Sequence, residues 1–139
     1  LLAGGELGAV GDVAVDFRRD VTAAGNTRHQ QLPNPLLIDM AIHHFDLMRL
    51  ILGREPASVF CRSWNPRWSP FSGDAAATAI VRFAGDTVVT WRGSWVSPGE
   101  QTPWAGAWRV GCAEGEVRWT SRIDGGTVAG DRATVRGRD

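Results

Sequence analysis

The chain has 139 residues, the size of one compact domain that can bury a hydrophobic core without disulfide bonds. A hydrophobic fraction of 43% with 22% charged residues is typical of a globular protein and argues against a disordered or membrane protein. Fifteen acidic residues balance fifteen basic ones, so no broad electrostatic field attracts nucleic acid or an anionic membrane.

The first predicted element is a strand over residues 9–19, where simple alternation puts Val13, Val15 and Phe17 on one side. A polar stretch over residues 20–31 follows and is predicted to be a long loop. Arg28 and His29 lie in it. Long ordered loops in compact domains often carry function, so both residues are candidate ligand contacts.

A long helix is predicted next. Asn34 is expected to cap its first backbone N–H groups, and Pro35 suits the first helical position. The helix is expected to run to about Leu52, because Gly53 can supply a left-handed cap and Arg49 in the last turn suits the helix dipole.

The rest of the chain is predicted to form strands, and two short turns, at residues 84–86 and 114–115, indicate hairpins between neighbours. One long helix on an open, mainly antiparallel sheet is an α+β fold, and we expect a single domain over residues 1–139. Two further weak strands are predicted beyond the five main ones, which cover residues 57–64, 75–84, 87–97, 104–112 and 116–122.

The residue types restrict the chemistry and the location of the protein. All fifteen basic residues are arginine, and the chain has no lysine or tyrosine, so it cannot supply a catalytic amine or phenol. We interpret Cys61 and Cys112 as buried thiols in a reducing cytoplasm rather than as a disulfide. The chain has no apolar run of membrane-spanning length and begins at Leu1 without methionine, so we expect a cytoplasmic protein that is longer than this chain.

The predicted helix carries three titratable groups on one side. Asp39, His43 and Asp46 fall within roughly 60° of one another at the 3.6-residue period. An Asp one turn before a His can hydrogen-bond to the imidazole and raise its basicity, which suits a general base near neutral pH. The spacing alone is common, however, and also fits side chains that only pair with arginines or lie in solvent.

His44 projects into the middle of the apolar side of the helix, so we interpret it as a hydrogen-bonded core histidine rather than a catalytic one. A metal site on His43, His44, Asp39 and one of the cysteines is disfavoured, because adjacent histidines on a helix point about 100° apart and do not easily share an ion. No metal is expected.

The helix and its exit, LIDMAIHHFDLMRLILGREP over residues 37–56, resemble the signature helix of the glucose-fructose oxidoreductase / inositol dehydrogenase / rhizopine-catabolism (Gfo/Idh/MocA) family. The similarity includes Asp-x-x-x-His, the following His-x-x-Asp, the arginine one turn later and the Leu-Gly-Arg-Glu-Pro exit. Residues 5–10 look like the family's entry into its second domain, and residues 83–88 resemble a hairpin of its open sheet. The resemblance covers roughly residues 5–120.

The resemblance implies a function. In that family a Rossmann domain binds NAD or NADP and carries a catalytic lysine, while the second domain supplies an Asp and a His to a sugar, cyclitol or related polyol. By resemblance, His43 exchanges a proton with the substrate hydroxyl. Asp39 orients the His43 imidazole or binds the substrate, and Asp46 is a neighbouring polar contact. Arg28 and His29 are further candidate substrate contacts.

The chain departs from the family pattern in its glycines. Gly5, Gly8 and Gly11 feed a strand rather than a helix, so they are predicted turn glycines and not a phosphate-binding loop. We therefore expect the cofactor domain, and its lysine, to lie outside this chain and the chain alone to be inactive. Asn34 and Pro35 replace the family's usual glycines before the helix.

The resemblance also implies a homo-oligomer through the open sheet face, with Trp91 and Trp95 as candidate contributors; alternatively, both are core residues beneath the helix. Two rival functions are kept open. The chain could be a non-catalytic ligand-binding or assembly module of this fold, or an isomerase or lyase that uses the Asp and His without nicotinamide.

Overall fold

The structure is a computed structural model that describes residues 5–24, 27–120 and 132–138. Seven strands form one sheet in the order β2-β3-β4-β1-β5-β6-β7. The strands β1 and β4 are parallel, and all other neighbours are antiparallel. The predicted α+β class is confirmed, and the strands are β1 (Val10–Arg18), β2 (Pro56–Trp64), β3 (Ala76–Phe83), β4 (Val88–Ser94), β5 (Ala107–Cys112), β6 (Gly115–Thr120) and β7 (Arg132–Gly137).

Some predicted boundaries differ from the structure. The predicted strand 87–97 ends at Ser94, and the predicted strand 104–112 begins at Ala107. The chain between them forms a connection in which Trp104 belongs to no strand. The two weak strands predicted beyond residue 122 fall partly on residues outside the described ranges, which contain one strand there, β7.

The polar stretch predicted as a loop contains two short helical elements, a 3₁₀ turn at Thr22–Ala24 and the helix α1 at Thr27–Gln30. The first begins where the Asp20 carboxylate accepts hydrogen bonds from both the backbone N–H and the hydroxyl of Thr22, at 3.0 and 2.6 Å. Aspartate side chains that accept hydrogen bonds from nearby backbone N–H groups favour turns and the first residues of helices.

The long helix starts as a π-helical segment, Leu36–Ala41, and continues as the α-helix α2, Ile42–Leu52. The side-chain cap predicted at Asn34 is wrong. Pro35 precedes the first helical residue without a side-chain cap bond, and Asn34 contributes its carbonyl oxygen, which accepts from the N–H of Ile38 at 3.0 Å. The predicted end is confirmed, because Gly53 adopts the left-handed conformation and donates to the Arg49 carbonyl at 2.8 Å.

The core lies between this helix and one face of the sheet. Val13, Val15 and Phe17 of β1 are buried there, as alternation predicted. Gly93 of β4 lies beside them, and a Cβ atom at that position would come within 2.5 Å of the Trp91 ring. The missing side chain leaves room for the Trp91 ring and for the Leu36 side chain of the helix, which would lie 3.2 Å from such a Cβ atom. The helix contributes four buried residues, Leu36, Ala41, His44 and Met48.

Trp91 and Trp95 are not on the open face. They are only 1% and 3% exposed, because Trp91 alternates with Val89 and Gly93 toward the helix and Trp95 packs against Phe71. Their predicted contribution to an oligomer interface is therefore wrong, and the alternative, that both belong to the core, is confirmed.

The two cysteines are free thiols, as predicted, but Cys61 is exposed and Cys112 is half-buried. The predicted burial of Cys61 is wrong because its strand, β2, lies at the edge of the sheet.

Candidate functional site

The side of the long helix that faces away from the sheet carries the three predicted titratable residues. His43 and Asp46 are exposed, and Asp39 is half-buried in the π-helical segment. Short π-helical segments are rare and often occur at functional sites. All three groups therefore lie outside the core on one continuous helix.

Uncovered apolar residues lie on the same side of the helix. Ile42 is 52% exposed and Leu50 is 76% exposed. At the α-helical period these two residues flank Asp46, with His43 next to Leu50. A titratable patch bordered by exposed apolar side chains is typical of a surface that another domain or a ligand covers.

The hydrogen bond expected between Asp39 and His43 is not among the contacts of the described residues. Catalytic hydrogen bonds are often long before substrate binds, so the one-turn spacing of the two residues remains the relevant geometry.

Asp46 lies 3.4 Å from the Arg49 guanidinium, in an ion pair that is largely open to solvent. Arg49 is held more firmly by Glu55, to which it donates two hydrogen bonds of 2.9 and 2.7 Å. These bonds hold the pKa of the Glu55 carboxyl below its usual range. Because Arg49 is anchored on Glu55, the Asp46 carboxylate stays accessible to a ligand.

His44 is the buried neighbour of His43, as predicted. Its Nδ1 atom accepts a hydrogen bond from the Trp91 indole N–H at 3.3 Å, and its Nε2 atom lies 2.9 Å from the Trp104 carbonyl oxygen. Because an indole only donates, the proton of the neutral ring must be on Nε2, from which it is donated to Trp104. Burial lowers the pKa of this imidazole, against the opposing effect of the Trp104 carbonyl.

Sequence reasoning missed the connection between β4 and β5. Besides its bond to His44, Trp104 stacks beneath the Arg19 guanidinium, whose carbon lies 4.5 Å from the ring centroid. Arg19 also donates to the Thr102 carbonyl at 3.2 Å. These contacts join residues far apart in the sequence, so no local pattern could have indicated them.

The two loop candidates lie in α1. Arg28 is exposed, and among the described residues its side chain makes no hydrogen bond or ion pair with the helix groups. The side chain of His29 lies outside the described part of the chain. The end of α1 is attached to the β2–β3 connection, where Ser72 donates to the Gln30 carbonyl through its N–H at 2.9 Å and its hydroxyl at 2.7 Å.

Comparison with known proteins identifies the family. Residues 1–118 match the model of the GFO/IDH/MocA C-terminal domain. The chain belongs to this family. A relative of the domain, the uncharacterized protein y4oX of Sinorhizobium fredii (strain NBRC 101917 / NGR234), is 30% identical over 108 residues, which are 76% of this chain and 30% of that protein.

Solved structures share the fold of this Gfo/Idh/MocA domain. An oxidoreductase from Agrobacterium radiobacter in complex with NAD+, L-tartaric acid and magnesium has a TM-score of 0.76 at 17% identity, over 96% of this chain and 40% of that one. Aldose-aldose oxidoreductase from Caulobacter crescentus, complexed with glycerol, has a TM-score of 0.76 at 19% identity, over 100% of this chain and 42% of that one.

An inositol dehydrogenase homolog from Azotobacter vinelandii, complexed with NADH and myo-inositol, has a TM-score of 0.73 at 19% identity, over 99% of this chain and 37% of that one. The domain therefore spans less than half the length of each of these relatives.

The glycine turn at Gly5 and Gly8 does not form a phosphate-binding loop, as predicted. Gly5 and Gly8 both have positive φ and form a tight turn in which Gly8 donates to Gly5 at 3.0 Å, and this turn leads into β1 rather than into a helix. Within the described ranges, no group of three or more His, Cys, Asp or Glu is placed to hold a metal ion. In the same ranges, no helix is both long and apolar enough to cross a membrane.

Proposed function

We propose that this domain is the substrate side of an NAD- or NADP-dependent oxidoreductase that acts on a hydroxyl group of a sugar, cyclitol or related polyol. The observation that carries the proposal is the exposed helix face that holds Asp39, His43 and Asp46. Oxidation of an alcohol requires removal of the hydroxyl proton, and an imidazole beside a carboxylate suits that task near neutral pH.

The chain's own residues have distinct roles in this proposal. His43 takes the hydroxyl proton during oxidation and returns it during reduction, and Asp39 orients the imidazole or binds a neighbouring hydroxyl. Asp46, Arg28 and His29 are proposed as further hydroxyl contacts. Nicotinamide, when bound by a separate domain, supplies or accepts the hydride.

The exposed apolar residues support an active site that forms between this domain and a separate cofactor-binding domain. Ile38, Ile42 and Leu50 are exposed on the face that bears His43, and a cofactor-binding domain seated on this face would bury them and exclude water from the reacting hydroxyl. Such an arrangement agrees with the short span of the domain relative to its solved neighbours, of which one holds NADH together with myo-inositol. The free thiols fit action in a reducing cytoplasm.

The proposal is tested with the complete protein, prepared together with its cofactor-binding domain. Nicotinamide absorbance is followed with NAD+ and NADP+ against a panel of sugars and cyclitols, in parallel with the 139-residue chain alone. We expect turnover by the complete protein and none by the chain. If the complete protein neither binds nor reduces the cofactor, the domain is instead a ligand-binding or assembly module. Conversion of a panel compound by the chain without nicotinamide, followed by chromatography, would indicate an isomerase or lyase.

We also propose that the open sheet face pairs with a second copy of the chain. Phe60 and Ile80 are neighbours in register on that face, and they are 67% and 48% exposed. The ion pair between Arg92 and Asp16 at 2.9 Å lies on the same face, on the central strands β4 and β1. Aromatic side chains and arginine are enriched at such interfaces.

Sedimentation velocity over a range of concentrations measures this pairing. Replacing Phe60 by serine is expected to weaken self-association about tenfold or more, because an aromatic side chain buried in an interface commonly contributes more than 1.4 kcal/mol. Val59→Ser is the matched control, since Val59 is exposed on the opposite face of the same strand. Equal association of wild type and Phe60→Ser, or equal loss in both variants, would contradict pairing through the open face.

A further inference from the structure

A second cleft lies on the opposite side of the sheet from His43. Four residues that pair in register across four strands form its floor and one wall: Arg18 of β1, Ser94 of β4, Ala76 of β3 and Trp64 of β2. The small side chains of Ser94 and Ala76, in the middle of this row, leave space between the large side chains of Arg18 and Trp64 at its ends. Trp68, from the β2–β3 connection, adds a further wall, and the cleft encloses about 330 Å³.

Arg18 is the unusual residue of this cleft. Its Nε atom is shielded from solvent and has no hydrogen-bond partner, and among the described residues no acceptor pairs with its guanidinium. The backbone of Arg18 is held on both sides by Thr102, which accepts from its N–H through the hydroxyl and donates to its carbonyl, both at 2.9 Å. An arginine Nε–H that is buried without an acceptor is costly in a folded protein unless a ligand supplies one.

The charges around the cleft favour an anion. Its lining contains two arginines, Arg18 and Arg92, and no acidic side chain. The Nε atom of Arg92 donates to Asp16 at 2.9 Å, which orients that second guanidinium at the border of the cleft. The hydroxyl-bearing residues Ser94 and Ser97 add polar groups to the lining.

The aromatic walls favour a ring. The Trp68 indole is fixed by a hydrogen bond from its Nε1–H to the Val96 carbonyl at 3.1 Å, while most of its surface is exposed. Trp64 is also exposed. Indole faces stack on flat rings of ligands. Because the Trp68 indole is already held in position, it loses little conformational freedom when a ligand binds.

We infer that this cleft binds a small carboxylic acid that carries a ring, with the carboxylate on the fork of Arg18 and the ring against the tryptophans. Arginine recognises carboxylates through two parallel hydrogen bonds, which matches the unpaired guanidinium. The volume is that of a small-ligand pocket. The site lies beyond the proposed oxidoreductase function, because a sheet layer separates it from the helix face that carries His43. Its residues Trp64 and Ala76 lie four positions along β2 and β3 from Phe60 and Ile80, so the cleft is at the end of the strands and not at the residues proposed to pair with a second copy.

Isothermal titration of the 139-residue chain tests the inference without cofactor, so its outcome does not depend on the proposed catalysis. The ring acids are benzoate and glucuronate, and the comparison ligands are acetate, benzyl alcohol and inorganic phosphate. We expect at least one ring acid to bind more tightly than all three comparison ligands. Equal binding of benzyl alcohol, tighter binding of phosphate, or no binding of either ring acid would overturn the assignment.

Two variants locate the binding. Arg18→Gln is expected to weaken ring-acid binding about 10- to 100-fold, the usual effect of losing a charge-assisted hydrogen bond. Trp68→Leu, at an exposed position, is expected to weaken it as well and does not depend on tolerance of substitution at Arg18. Arg82→Gln is the matched control, since Arg82 lies on the same sheet face with its own partner, Asp86, at 3.5 Å. Unchanged binding in Trp68→Leu, or equal loss in Arg82→Gln, would refute the site.

Discussion

If the proposed function holds, replacing His43 by alanine in the complete protein is expected to lower kcat by about 10²- to 10⁴-fold, the usual contribution of a general acid or base. The change should leave the fold intact, because the imidazole is exposed and makes no hydrogen bond to the described residues. Steady-state rates with the best substrate of the panel measure kcat and KM separately. We expect kcat to carry most of the loss, since the proton transfer occurs only in the transition state.

Two controls separate chemistry from structure. Urea unfolding of His43→Ala should agree with wild type to within about 0.5 kcal/mol, as is usual for surface substitutions. Added imidazole should restore part of the rate, because the removed side chain leaves an accessible space beside Asp39. A variant that keeps more than a tenth of the wild-type kcat would show that His43 is not the proton-transfer group.

Local periodicity predicted the elements of this fold well. Alternation identified the buried side of β1, and the helical period placed Asp39, His43 and Asp46 on one face. Both patterns repeat within a few residues, so the sequence contains them completely. The glycine cap at Gly53 was predictable for the same reason, because its left-handed conformation is a property of one residue.

Features that depend on distant residues were not predictable. Alternation could not decide which face of β4 meets the helix, so the sequence left Trp91 open as an interface or a core residue, and the structure places it in the core. The π-helical segment and the position of Trp104 result from packing of the helix against the sheet. The cleft at Arg18 requires the register of four strands, including the parallel pairing of β1 with β4, which are about 70 residues apart in the sequence.

The second large effect is expected at His44. Its replacement should lower the stability of the fold, whereas replacement of His43 should lower kcat and leave the stability almost unchanged. Replacing His44 by alanine removes a fully buried ring that contacts Phe17 at a centroid distance of 4.9 Å and leaves the Trp91 indole N–H without its acceptor. A core truncation costs about 2–5 kcal/mol, and an unsatisfied buried donor adds to that cost. We expect a loss of about 3–5 kcal/mol in the free energy of unfolding, measured with urea at pH 8, against almost none for His43→Ala.

The pH dependence identifies the responsible group. Burial lowers the pKa of His44 in the folded chain, so the unfolded chain binds its proton first as pH falls. The stabilisation from the neutral ring is therefore complete above the unfolded pKa of about 6.5 and is lost as pH falls from there toward the lowered folded value.

Between pH 8 and 5.5 the wild-type stability should decrease with a slope of at most about 1.4 kcal/mol per pH unit from this one group. His44→Gln can still accept from Trp91 and donate to the Trp104 carbonyl, but it cannot titrate, so its stability should change less over the same interval. If His44→Gln declined as steeply as wild type, the buried imidazole would not be the group whose protonation destabilises the domain, and its lowered pKa would have no thermodynamic consequence for folding.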